Sequence, residues 1–448
     1  MSHFSLRLGL LGALALGASA CSWSRFDDLT DNAPVVLLEK PDSMNNGFGV
    51  SLATATKDEH TELLVGGTVT TSGAALYQLG EDSAPNTKAT DTNYCSGDGK
   101  PCFLSSLIAG FANAQGPDRS RPLCFAVGSG EVVKQGLVMR CQDGGEYTLD
   151  MPQAAEDLLA MAIAQNQPRD FPMVTDRSDD PLLLASLPEK RLAWFYPEKS
   201  DILSELPLPD GVEVDDPSFG SSLAVLAVEG GRVLAVGVPG KSRVLLWKTE
   251  PDANPSFLGC WSGTSGMGRA LASGKVNADG NDDLVVSDET QVHVLDGSSL
   301  FQLPESNASD CDRPLVIAGS RLGSFGCGST SPLSGCERSE FGAALAVGDL
   351  DGDGDGEVIV GAPKMTVRGK ENAGALLVYD ADAATETAPV DAKFMSSAES
   401  GDELGRSIVA PHVGKRDIIA AGAPGHGKAA LFYCSSLLPH GAGGSRCP

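Results

Sequence analysis

The chain has 448 residues, 42% of them hydrophobic, 21% charged and 6% aromatic, with 53 glycines and 27 prolines. That is ample material for a large core, so global disorder is excluded, and the length suits two or three domains or one large all-β unit. Thirty-three Lys and Arg against 59 Asp and Glu give a formal charge of −26, which argues against nucleic acid or an anionic membrane face as partner, because such binding rests on basic patches.

At the N-terminus, Arg7 precedes the apolar run Leu8–Ala20, which ends in Ala18-Ser19-Ala20 before Cys21. The run is too short to span roughly 30 Å of hydrocarbon. A basic start, an apolar centre and small residues before a cut are the marks of a secretory signal, here residues 1–20. The segment resembles a bacterial lipobox, which implies that Cys21 is lipidated and becomes the mature N-terminus. In such lipoproteins Ser22 beside that cysteine implies sorting to the outer membrane. An ordinary cleaved signal, with Cys21 in a disulfide, is the competing reading. Residues 21–44 read as an acidic, proline-containing tether, and no other segment is long and apolar enough to cross a membrane.

From there a repeat sets the organisation. Its clearest unit is Phe341-Gly342-Ala-Ala-Leu-Ala-Val-Gly-Asp349, an acidic loop, Val358-Ile-Val-Gly-Ala-Pro363, and Gly374-Ala-Leu-Leu-Val-Tyr379. Three β-rich runs separated by glycine turns predict a meander. The same order starts at Phe48-Gly49, Phe219-Gly220, Met267-Gly268 and Leu404-Gly405. These copies resemble the FG-GAP repeat, the blade unit of the integrin α-chain β-propeller. The interval from Gly49 to Gly220 leaves room for two degenerate copies. Leu104–Ala112, Leu123–Val127 and Gly136–Cys141 would form one; Leu158–Ala164, Leu182–Ala185 and Arg191–Tyr196 the other. The expected fold is therefore all-β, a seven-bladed propeller over residues 45–438, with a C-terminal tail at 439–448. Such a ring also removes exposed sheet edges; a β-sandwich with accidental glycine motifs is the alternative.

Of eleven cysteines, removing Cys21 leaves an even set, as disulfide bonding in an oxidising envelope requires. Connectivity does not follow from sequence. Cys95–Cys102 and Cys327–Cys336 would close short loops, Cys124 and Cys141 flank a candidate hairpin, and Cys434–Cys447 would pin the tail, leaving Cys260 for Cys311. Residues 298–340 read as a long disulfide-held insertion.

The loop Asp349-Leu-Asp351-Gly-Asp353-Gly354-Asp355-Gly-Glu357 places oxygens at alternate positions of a tight turn, a pattern suited to a hard cation such as Ca²⁺. Asp349, Asp351, Asp353 and Glu357 are expected to offer side chains and Asp355 mainly its carbonyl. FG-GAP blades of this kind bind Ca²⁺ through the same positions, the ninth usually being Asp. Val360 at the twelfth position excludes an EF-hand, and so many carboxylates exclude a phosphate cradle; the plain alternative is a solvated acidic turn. A second loop keeps Asn277, Asp279, Asn281 and Asp283, but Lys275 stands at the first ligand position, where its ammonium could replace the ion.

Catalysis has little support. None of His60, His293, His412, His426 and His440 has metal-binding spacing, and no nucleophile elbow occurs. Trp194-Phe195-Tyr196 could stack on a sugar or simply pack between blades. The expectation is a non-enzymatic, calcium-stabilised, lipid-anchored propeller of the bacterial envelope that binds a protein or glycan, touching the membrane only through its lipid. The alternatives are a structural subunit of an envelope assembly, docking through 298–340, and a propeller-based polysaccharide lyase or phosphodiesterase.

Overall fold

In the strands around residue 350 the side chains alternate between two apolar faces. Leu345, Val347, Val358 and Val360 are buried with Val285, Val294 and Phe325 of the preceding repeat. Ala346, Ile359, Leu376 and Val378 are buried with Ile408, Ile419 and Ala421 of the following one. Strands covered on both sides read as nearly continuous apolar runs, which is why residues 358–362 carry no polar side chain.

The computed structural model describes residues 35–433 except 43, 45–46, 58–59, 68–73, 81–86, 91–106, 113–122, 128–136, 142–145, 150–172, 176–181, 188–190, 196–203, 207, 209–215, 252, 278, 305–320, 328–332, 335, 381–390 and 396. Within them the chain is all-β and propeller-like, built of small antiparallel sheets with few helices. In chain order, the first sheet holds Ser51–Lys57, His60–Gly66 and Ala74–Leu79. The second holds Leu107–Ala112, Leu123–Val127, Leu137–Cys141 and Glu146–Leu149. The third holds Met173–Thr175, Leu183–Leu187, Arg191–Phe195 and Ser204–Glu205. The fourth is Ser222–Val228, Gly231–Val238, Arg243–Thr249 and Ser256–Ser262, and the fifth Leu271–Gly274, Asp283–Ser287, Gln291–Leu295 and Arg321–Gly326. The sixth is Leu345–Gly348, Glu357–Ala362, Ala375–Tyr379 and Asp391–Lys393. The seventh joins Ser407–Val409, Ile419–Ala423 and Lys428–Phe432 to Val35–Leu37 from the other end of the chain.

The core is a series of apolar layers between consecutive sheets, seen between the third and fourth, fourth and fifth, fifth and sixth, sixth and seventh, and seventh and first. Leading strands touch in sequence. Ser51–Lys57 lies against Leu107–Ala112, then come Met173–Thr175, Ser222–Val228, Leu271–Gly274, Leu345–Gly348 and Ser407–Val409, and this last lies against Ser51–Lys57.

The paired glycines of the repeat have a steric cause. A Cβ on Gly237 would fall on the carbonyl oxygen of Gly268, one on Gly361 on that of Gly405, and one on Gly422 on that of Gly49. The second strand of one repeat thus meets the turn glycine of the next, and those turn glycines have positive φ, a region that favours Gly. In the fifth repeat Ser287 takes this place and donates to the Gly342 carbonyl at 2.8 Å. Ser222 and Ser407 donate to the carbonyls of Gly268 and Gly49 at 2.6 and 2.7 Å.

Three expectations change. Within the expected tether, Val35–Leu37 is a strand, pairing Val35 with Phe432 and Leu37 with Ala430; the Val-Val-Leu run finds its partner only at the far end of the chain. The stretch 298–340 is more than a loop. It supplies most of the helix Gly297–Phe301, the outer strand Arg321–Gly326, and Leu333–Ser334, which pairs with Thr366–Val367. Phe325 anchors the outer strand by stacking on Tyr379 at 4.8 Å. In the third sheet the strand beside Leu183–Leu187 is Met173–Thr175. Residues 158–164, expected there, lie outside the described residues.

Candidate metal centre

The acidic loop joins Leu345–Gly348 to Glu357–Ala362, and the ladder between them ends at the Gly348–Glu357 pair. Gly352 and Gly354, at φ of 82° and 102°, let the chain double back. The Asp349 carboxylate accepts the amides of Gly352 and Gly354 at 2.6 and 3.1 Å. Asp351 accepts from Asp353 N at 3.1 Å, and Asp353 from Asp355 N at 3.0 Å. These links turn three side chains inward, so that one carboxylate oxygen from each of Asp349, Asp351 and Asp353 lies within 4.8 Å of the others. Oxygens each about 2.4 Å from one Ca²⁺ stand at most about 5 Å apart, so this hard-oxygen donor set fits that ion.

Asp355 and Glu357 stand outside this group of three. Glu357 is buried, and its Oε2 accepts the Leu350 amide at 2.8 Å. Burial, followed by the charges of Asp351 and Asp349, pushes its pKa up to about 8. Asp351 is likewise raised, by burial and then chiefly by Asp353. A cation would relieve this crowding of negative charge.

The loop at 275–283 has the same frame. Val276 N donates to Asp283 Oδ2 at 3.0 Å, as Leu350 does to Glu357, and Asp279 and Asn281 amides cap Asn277 and Asp279. Its acceptors are engaged differently. Asp283 also takes the Gly297 amide at 3.1 Å, while Asp282 and Asn281 accept from the amides of Ala227 and Glu229 in the preceding sheet. Burial, with Asp279 and Asp296 adding, pushes the Asp283 pKa up to about 7. Lys275 is exposed, and its carbonyl accepts Gly356 N at 2.6 Å, tying this loop to the acidic one. Among the described residues, the carboxylates of this second loop are not brought together as those of the first are.

The short pair His412–Val413 and Arg416–Asp417 of the seventh sheet's connection packs on the acidic loop. Asp417 Oδ2 accepts the Asp349 amide at 3.1 Å, and Asp417 N donates to the Asp349 carbonyl at 2.7 Å. Asp417 Oδ1 also pairs with His412 Nδ1 at 2.9 Å. Two further histidines meet aspartates. His293 Nε2 lies 3.0 Å from buried Asp288, and His426 Nδ1 lies 2.8 Å from buried Asp402. Burial would raise the Asp288 pKa, but Thr264, His293 and the amides of Thr290 and Gln291 outweigh it and hold the carboxyl low. Sequence reasoning missed these pairs and Asp417; the five-residue spacing of Asp288/His293 and of His412/Asp417 across short turns was the available signal.

Cys327 and Cys336 are joined, with Cα atoms 5.9 Å apart. Cys124 stands opposite Cys141 in the ladder of the second sheet, and Cys260 is disulfide-bonded. Cys21, Cys95, Cys102, Cys311, Cys434, Cys447, Tyr196 and His440 lie outside the described residues, as do the side chains of Trp194 and Phe195. Among the described residues no helix is long and apolar enough to cross a membrane.

Comparison with known proteins matches residues 341–379 to the FG-GAP repeat. Integrin alpha-3 of Cricetulus griseus is 30% identical over 144 residues, a match that spans 31% of this chain and only 12% of the integrin. A crystal structure of BBS1N in complex with ARL6DN is similar over 90% of this chain and 98% of its own, with a TM-score of 0.48 and 10% identity. The chain carries an FG-GAP repeat and is integrin-α-like in that sense.

Proposed function

We propose that this chain is a calcium-stabilised, seven-bladed propeller, held to the bacterial outer membrane by a lipid on Cys21, that binds a protein or glycan partner and is not an enzyme. The succession of leading strands that returns from Ser407–Val409 to Ser51–Lys57 supports a closed ring. The lipid anchor rests on the apolar run before Cys21, and Cys21→Ser should move the protein from membranes to the soluble fraction. Retention through washing at high salt would remove that part of the reading.

The observation that carries the calcium reading is the convergence of Asp349, Asp351 and Asp353 on a connection inside an FG-GAP repeat. Asp349, Asp351 and Asp353 would hold the ion, with Glu357 and the Asp355 carbonyl completing the set. Bound there, Ca²⁺ would supply positive charge that locks a turn between two strands, so its role would be to stiffen the sheet that carries it. A ligand held only by the folded state stabilises it by about 2.7 kcal/mol at a hundredfold excess over Kd. Calorimetry should show chelation lowering the melting temperature of the wild type, and Asp353→Ala removing most of that difference. Equal melting of both proteins, with calcium and with chelator, would mean that the loop is an acidic turn. Capture of a partner from envelope extract, with and without chelator, then tests the binding role.

A further inference from the structure

We propose that Asp417, in the sheet that follows the acidic loop, is a positioning residue for the cation site, acting through the main chain of Asp349. The inference rests on the calcium reading of the 349–357 loop and adds a residue outside that loop to it.

Asp349 is the pivot of the cluster, since its carboxylate gathers the amides of Gly352 and Gly354 as well as facing Asp351 and Asp353. Where that carboxylate points depends on how the backbone of Asp349 is held. Its amide and its carbonyl both bond to Asp417, the first to the side chain at 3.1 Å and the second to the backbone at 2.7 Å. Asp417 is itself fixed. It is 6% exposed, its other oxygen meets His412 Nδ1 at 2.9 Å, and Ile418 N donates to the Pro411 carbonyl at 2.9 Å to close the hairpin behind it.

The approach is close enough to require a glycine. A Cβ on Gly348 would stand 2.5 Å from Ala410 Cβ and 3.0 Å from Asp417 Oδ2. The same two-bond bracket joins Asp282 to Ala227, where Ala227 N donates to Asp282 Oδ2 and Asp282 N to the Ala227 carbonyl, each at 2.9 Å, so the bracket is a device of the repeat that at Asp349 falls on a residue of the acidic cluster. At the start of the second loop the Lys275 carbonyl accepts the Gly356 amide at 2.6 Å. The hairpin reaches further, because Thr61 Oγ1 donates to the His412 carbonyl from the first sheet. Ordering of Asp349 by a cation should therefore order the 412–417 hairpin, and the hairpin should in turn preset Asp349 for the cation. Partners that orient metal ligands from outside the coordination sphere are commonly worth 10–100-fold in metal affinity.

Calcium titration calorimetry on the full chain, at one neutral pH, tests this with the wild type, Asp353→Ala, Asp417→Ala and Asp417→Asn. Asp417→Ala should weaken calcium binding about 10-fold or more, whereas Asp417→Asn keeps an oxygen for the Asp349 amide and should stay within about threefold of the wild type. Wild-type affinity in Asp417→Ala, or an equal loss in the Asn variant, would overturn the positioning role. A wild type that binds no calcium, like Asp353→Ala, would instead overturn the calcium reading and the inference with it. Hydrogen exchange on the wild type needs no variant to fold. Calcium should slow exchange across 410–418, which contributes no ligand, as well as across the acidic loop; protection confined to 345–362 would refute the coupling.

Discussion

At Gly422 the space that a side chain would need is filled by the Gly49 carbonyl and the Ser407 hydroxyl. Gly422 is not at positive φ, so what its position demands is room between two repeats. Gly422→Ala should destabilise the fold by about 1–3 kcal/mol or more, the usual cost of forcing a methyl into a packed contact. Gly80, with nothing within 4 Å of its Cβ direction, supplies the control: Gly80→Ala should be neutral or slightly stabilising. Melting curves of both variants decide it, and equal stability would mean that the seam between the seventh and first sheets gives way freely. The same geometry explains why the motif is legible at all. Gly237, Gly361 and Gly422 recur because each meets the next repeat's turn glycine, so a steric need appears as a sequence signal. Asp417 leaves a weaker mark, the five-residue spacing from His412, because its bonds to Asp349 join two repeats at one place while the glycine contact recurs from repeat to repeat.

Between elements, charge adds to these contacts. Glu340, with φ of 54°, precedes the Phe341-Gly342 turn and meets Lys364 of its own repeat, Arg269 of the preceding one at 3.7 Å and Arg406 of the following one at 2.8 Å. Partial burial would raise its pKa, but Lys364, Arg406 and Arg269 outweigh that and hold the carboxyl below its ordinary value. A carboxyl depressed in the folded state contributes stability that is present above its unfolded pKa, about 4.3, and is lost as pH falls through the folded value. Glu340→Gln should therefore melt below the wild type at pH 7, and the gap should close as the pH falls below the unfolded value and through the lower folded one. The gap should also narrow at high salt, which screens exposed charges. Melting scans across pH test this, and a gap that does not shrink as the pH is lowered below the unfolded value would assign the loss to packing. The strands themselves were legible wherever an apolar run lay between glycine turns, as at 231–238 and 357–362. Arg321–Gly326 was not, because it lies among Gly, Ser and Cys residues and owes its place to Phe325 packing on Tyr379.

For the molecule as a whole, the decisive element is the one with the weakest sequence signal. Val35–Leu37 is too short to show a period, and its partner strand begins at Lys428. The five residues from Val35 bridge the last sheet to the first. Leu38 N donates to the Ala429 carbonyl at 2.9 Å, Glu39 N to Thr87 O at 2.8 Å, and Tyr77 donates its hydroxyl to the Glu39 carbonyl at 2.8 Å. Leu38 is 5% exposed and packs with Phe48, Tyr77 and Leu431. Two truncations separate this strand from everything before it. A chain lacking residues 1–33 should melt like the full chain, since it keeps the strand and its ladder. A chain lacking residues 1–38 loses the Leu38 burial, itself about 1.5–3 kcal/mol, together with the three-residue ladder. It also leaves Lys428–Phe432 with an open edge, which favours pairing with another chain. It should melt at a clearly lower temperature and associate as its concentration rises in sizing experiments. If the two truncations melt together and both stay monomeric, the apolar layer, the Gly49–Gly422 contact and the bonds from Ser407 to Gly49 and from Thr61 to His412 suffice to join the first and last sheets, and the N-terminal strand is dispensable for that junction.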